Sequence, residues 1–154
     1  MNAVEILKDI YWVGCVDYDH YDFHGYSKSP EGTTYNAYFI KDEKNTLIDT
    51  VAPGKAGTLL CRLGHVIKPE QVDYLVINHM EPDHSSSVRA LRMLYPDIQI
   101  VGNAKTADML NGFYGINQGV HIVKDGDSLD LGGKTLTFYM TPMLHWPETM
   151  MTYL

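Results

Sequence analysis

Apolar and polar positions alternate, or form short apolar runs, through the first third of the chain. The segments "IYWVGCVD" (10–17), "TYNAYFI" (34–40) and "NTLIDTV" (45–51) are bounded by Gly, Pro, Asp and Asn, and so read as strands. From Pro53 the period lengthens. Ala56, Leu59, Leu60, Leu63 and Val66 or Ile67 recur at helical spacing, which predicts an amphipathic helix lying on a sheet and stopped by Pro69. "VDYLVIN" (72–78) is then a buried strand that runs directly into His79.

In "SSSVRALRMLYPD" (85–97) the serines suit a helix start, and Val88, Leu91 and Leu94 or Tyr95 share one side, so a second helix follows. "IQIVG" (98–102) reads as a strand, and "NAKTADMLNGF" (103–113) as a short helix capped by Asn103. "VHIVKDGDSLDLGGKTLTFYMT" (120–141) returns to strands joined by Asp/Gly turns, one of them at Gly132 and Gly133, and "ETMMTYL" (148–154) is a final strand. Strands alternating with helices predict an α/β fold with parallel crossovers, and the hairpins at both ends make the sheet mixed. An apolar strand at 148–154 needs pairing or cover, which suggests that the chain is part of a larger fold.

Composition narrows the partners. A chain of 154 residues suits one domain. Its net charge of −7 argues against a general nucleic-acid or anionic-membrane surface. The only cysteines, Cys15 and Cys61, give neither a disulfide scaffold nor a thiolate metal site, and with no long apolar run they point to the cytoplasm. Cys61 falls in the apolar helix pattern and is expected in the core. Trp12 and the N-terminal tyrosines are expected to pack on the sheet, the alternative being that they line a substrate approach.

The chemistry gathers in "HMEPDH" (79–84), directly after the buried strand. Residues two apart in an extended segment point to the same side, so His79 and Glu81 can converge. Pro82 restricts the backbone beyond them, and Asp83 with His84 can turn toward a neighbouring point. This spacing offers two half-sites for metal. The plainer reading makes these turn and capping residues, with Asp83 satisfying free helix N–H groups, but so many ionisable groups at a sheet end carry a desolvation cost. One loop cannot close a metal shell. His145, in "TPMLHWPET" after the strand "TLTFYM", is the best further donor; its alternative is a half-buried histidine packed near Trp146. Imidazole and carboxylate donors suit iron, manganese or zinc.

"HMEPDH", the later "LHW", "FHGYSKSPEGTTYNAYFI" and "NTLIDTV" together resemble the N-terminal diiron domain of the flavodiiron proteins, built on the metallo-β-lactamase fold. Hydrolases of that fold usually carry histidine where Glu81 stands, so Glu81 resembles the oxygen- and nitric-oxide-reducing branch. The resemblance implies an αββα sandwich, with mainly its N-terminal half in residues 1–154. It implies His79, Glu81 and His145 on one iron, Asp83 and His84 on the other, and His24 as a pocket histidine that assists catalysis. It also implies reduction of oxygen to water or of nitric oxide to nitrous oxide. Electrons would come from a rubredoxin-like donor through flavin mononucleotide (FMN) in a C-terminal flavodoxin-like domain that residues 1–154 do not contain. The family's bridging aspartate and final histidine have no counterpart after His145, where Glu148 is the only acidic residue. The chain is therefore expected to be a partial diiron domain, completed in an oligomer by a missing C-terminal remainder or a homologous subunit. The rivals are a zinc-dependent hydrolase of the same fold and a catalytically inactive assembly fragment.

Overall fold

A computed structural model describes residues 2–23, 25–67 and 72–154. His24 and Pro69 lie outside the described residues. In chain order the strands are β1 (Val4–Leu7), β2 (Ile10–Trp12), β3 (Cys15–Asp17), β4 (Asp22–Phe23), β5 (Ser27–Lys28), β6 (Thr33–Tyr35), β7 (Tyr38–Ile40) and β8 (Thr46–Ile48). Next come α1 (Ala56–Val66), β9 (Tyr74–Val76), α2 (Pro82–Ser85), α3 (Val88–Leu94), β10 (Gln99–Gly102) and α4 (Ala104–Tyr114). The remaining strands are β11 (Val120–Ile122), β12 (Ser128–Asp130), β13 (Thr135–Met140) and β14 (Met150–Tyr153).

Seven strands form one mixed sheet in the order β1-β2-β7-β8-β9-β10-β11. The strands from β1 to β8 pair antiparallel, and those from β8 to β11 pair parallel through helical crossovers. An antiparallel sheet, β12-β13-β14, stacks on it. Alternation along each strand builds both cores. Phe39, Leu47, Leu75 and Ile100 bury with Leu59, Leu63, Val88, Leu91 and Leu110 of the helices. Their neighbours Ile40, Val76 and Val101 bury with Leu136, Phe138 and Met150 of the small sheet. Helices, large sheet and small sheet are thus stacked as successive layers of the expected αββα sandwich.

The structure corrects several local readings. "IYWVGCVD" and "TYNAYFI" each split into two strands, because the chain leaves the large sheet to form the β3-β6 ribbon. Gly14 makes that departure possible, since a Cβ there would lie 2.1 Å from the Tyr35 carbonyl oxygen. β1 is an edge strand outside the predicted set, and all four of its side chains are exposed, so it buries no face. Cys61 is exposed rather than in the core: it lies beside the buried stripe of Leu59, Arg62 and Leu63. Tyr18, Tyr21 and Tyr26 are also exposed instead of packed on the sheet, whereas Trp12 is half-buried with the Arg62 guanidinium 4.4 Å above its ring. Asn103 does cap α4, accepting a hydrogen bond from Thr106 N at 3.1 Å, and Gly115 ends that helix in the left-handed conformation.

Candidate metal centre

The site lies beyond the C-terminal ends of the parallel strands, where ligands gather in open α/β sheets. After β9, Asn78 is pinned from both layers. Its N–H donates to Asp49 Oδ1 (2.8 Å), its carbonyl accepts from Met150 N (3.0 Å) and its side chain accepts from Thr152 Oγ1 (2.7 Å). The extended chain then alternates. Met80 is fully buried, so His79 and Glu81, on either side of it, face the same way.

Pro82 occupies the first helical position and starts α2, so Asp83 and His84 sit in a helical turn rather than a loop. That turn is strapped to the segment after β8. Thr50 donates to the His84 carbonyl from both N (2.8 Å) and Oγ1 (2.7 Å), and Ser86 Oγ donates to the Val51 carbonyl (2.7 Å). The serines therefore anchor the turn and make no side-chain cap for α3, so the helix expected from the serines begins only at Val88, after the separate turn α2.

His79, Glu81 and His145 meet. One donor atom from each lies within 4.8 Å of the others. Glu81 Oε2 is 3.1 Å from His79 Nε2 and 3.3 Å from His145 Nε2. Two donors each about 2.1 Å from a first-row ion and 90–109° apart are themselves separated by about 3.0–3.4 Å. The two separations from Glu81 and the donor types therefore suit a single metal. Trp146 stands edge-on to the His79 ring at 4.9 Å, while the His145 side chain remains 58% exposed.

Asp83 and His84 lie beside this trio rather than within it. The His84 ring is 5.2 Å from that of His79, and His84 Nε2 is 3.6 Å from Asp83 Oδ2. Asp83 Oδ1 is buried without a hydrogen-bond partner among the described residues, as would suit an atom facing a second cation, whereas His84 Nδ1 faces Asp49 Oδ2. Burial pushes the His84 imidazole down. The Asp49 carboxylate, 3.4 Å away, outweighs that together with Asp83 and Glu81, and the net direction is above the ordinary 6.5. His24 lies outside the described residues.

Two carboxylates received no role from the sequence. Asp49, at φ 56° just past β8, holds Asn78 and faces His84. Glu148 is completely buried, and its Oε1 lies 2.8 Å from His79 Nδ1 and 2.9 Å from Met80 N. An acidic residue following a strand was the available signal for Asp49. For Glu148 it was the one acid after His145.

A neighbouring pocket of about 380 Å³ is lined by Asp17, His20, Tyr35, Ala52, Pro53, Glu81, Pro82 and Asp83. At its wall Lys55 Nζ is 2.9 Å from Asp17 Oδ1, a contact that holds the Asp17 carboxyl below its ordinary 3.8 against the opposing effect of burial. A depressed carboxyl stabilises the fold above its unfolded value and loses that contribution as pH falls through its folded value. Lys55→Met is therefore expected to unfold more easily than the unmodified chain at pH 7, with the gap closing below about pH 4. Parallel stability–pH curves in urea titrations would contradict this.

Comparison with known proteins agrees with the geometry. The family model described as "ODP family beta lactamase" matches residues 33–154. The rubredoxin-oxygen oxidoreductase of Megalodesulfovibrio gigas is 44% identical over 99% of this chain and 38% of its own length. The nitric oxide reductase of Moorella thermoacetica is 43% identical over 99% of this chain and 39% of its own. The crystal structure of the flavodiiron protein from Giardia intestinalis superposes with a TM-score of 0.93 at 36% identity, covering 99% of this chain and 37% of that one. The chain thus spans less than two fifths of the length of each of these relatives. No helix among the described residues is long and apolar enough to cross a membrane. By the extent of the family match and the agreement of sequence, fold and site, the chain belongs to the ODP family of beta-lactamase domains, the metallo-β-lactamase-like domain of flavodiiron proteins.

Proposed function

We propose that this chain provides the metal-holding part of a cytoplasmic flavodiiron reductase that converts oxygen to water or nitric oxide to nitrous oxide. The observation that carries the reading is the approach of two imidazole nitrogens, from His79 and His145, to one oxygen of Glu81. The names of the relatives from M. gigas and M. thermoacetica support the choice of substrates.

In this reading His79, Glu81 and His145 hold one iron, and Asp83 and His84 contribute to a second. Polypeptide outside residues 1–154, or a homologous subunit, brings the further ligands and the FMN, and a rubredoxin-type donor supplies electrons. The bound iron pair would supply one-electron chemistry toward a diatomic substrate. The chain's own residues prepare the site. Buried Met80 anchors the loop, so His79 and Glu81 keep their common direction. Trp146 screens one edge of the His79 imidazole from water. The pocket beside Glu81 and Asp83 gives a small substrate room. Tyr35 Oη, 3.4 Å from His20 Nδ1, places a proton-holding pair on its wall. His24, which lies outside the described residues, is expected by resemblance to be a pocket histidine near the diiron centre.

The test is anaerobic purification with metal analysis, followed by oxygen and nitric oxide consumption with and without a flavin-bearing partner. Near two irons per chain, and turnover, both only in the presence of the missing polypeptide or that partner, is the expected result. Robust turnover by residues 1–154 with an external donor alone would contradict the division of labour. Zinc in place of iron with ester hydrolysis would indicate a hydrolase, and absence of any bound metal an inactive fragment.

A further inference from the structure

Glu148 approaches the trio from behind. It is 0% exposed, with Oε1 shared between Met80 N–H and His79 Nδ1, while Oε2 is buried without a hydrogen-bond partner among the described residues. Met80 N–H donates to Oε1, so this oxygen acts as an acceptor, and at 2.8 Å it faces His79 Nδ1 as the partner of an Nδ1–H donor. In a neutral imidazole the Nε2 lone pair then points at Glu81 Oε2, 3.1 Å away, which is also an acceptor.

We propose that Glu148 is a positioning residue that fixes His79 with its proton on Nδ1 and its Nε2 lone pair directed at the metal. The inference rests on the metal reading above. The backbone supports the placement: Asn103, while capping α4, donates from Nδ2 to the Glu148 carbonyl at 2.6 Å, so the carboxylate is held by the same residue that begins a helix. A carboxylate behind a ligating histidine both orients the ring and raises its basicity, and loss of such a partner typically costs about 10–100-fold in metal affinity.

Glu148→Gln separates these contributions. The amide oxygen can still accept from Met80 N–H and His79 Nδ1–H, but the negative charge is gone. Zinc and ferrous-ion affinities of the full chain and this variant would be measured by chelator competition, together with nitrogen NMR of His79 in the zinc-loaded unmodified chain. The expected result is about 10–100-fold weaker binding by the variant, and a His79 ring protonated at Nδ1 and coordinated through Nε2. Coordination through Nδ1 would overturn the positioning role while leaving the metal reading intact; equal affinities with Nε2 coordination would support orientation of the ring alone, without a contribution from the charge. An unmodified chain that binds neither ion would overturn both. Should Glu148→Gln fail to fold, the NMR measurement on the unmodified chain still decides the assignment.

Discussion

His79→Asn is expected to lower divalent-metal affinity by more than about 100-fold, beyond the range usual for partners one step removed from the ion, with little change in thermal stability. Asparagine can place its amide N–H near the position of Nδ1 and continue to donate to Glu148 Oε1, but it has nothing at the position of Nε2. The variant removes a donor and keeps the buried partner satisfied. His79→Ala removes both. It leaves a fully buried carboxyl group held only by Met80 N–H, and removing the partner of a buried hydrogen-bonding group typically costs about 1–3 kcal/mol. The two substitutions should thus separate on a melting curve while matching in metal content. Near-normal metal retention by His79→Asn would remove His79 from the ligand set.

Phe138→Ala is expected to destabilise the chain by about 3–5 kcal/mol, lowering the melting temperature by on the order of 10 °C. Phe138 is wholly buried in β13, the middle strand of the small sheet, among Ile40, Val76 and Val101 of the large one. Truncation opens a cavity between two sheets whose spacing is fixed on both sides by backbone pairing, so the walls can close only in part. The segment with His145 and Glu148 begins where β13 ends, so metal affinity should fall along with stability. A loss under about 1 kcal/mol, measured by urea unfolding, would mean that the layers can collapse around the missing ring.

The parts of this fold that were legible in the sequence share a physical property: strong periodicity against a buried partner. α1 presented an apolar stripe, and α4 a recognisable capping side chain in Asn103. β9 led into His79 and Glu81 with the two-residue spacing that makes them converge, and His145 followed a six-residue strand. What stayed hidden depended on tertiary neighbours. The break at Gly14 is imposed by the Tyr35 carbonyl, which is distant in sequence. Ser85 and Ser86 look like caps until the carbonyls of Met80 and Val51 come within reach. Glu148 resembles any surface acid beside a proline, and its burial against His79 arises only from the return of the chain into β14.

The donors of the site do not belong to one layer. His79 and Glu81 continue from β9 of the large sheet, whereas His145 lies on the connection between β13 and β14 of the small one. An ion held by all three acts as a latch across the seam between the sheets. At a hundredfold excess over its dissociation constant it would add about 2.7 kcal/mol to the folded state, and by the placement of the donors that energy resists separation of the two layers. The linkage is reciprocal: whatever seats the small sheet more firmly on the large one tightens the grip on the ion by the same factor.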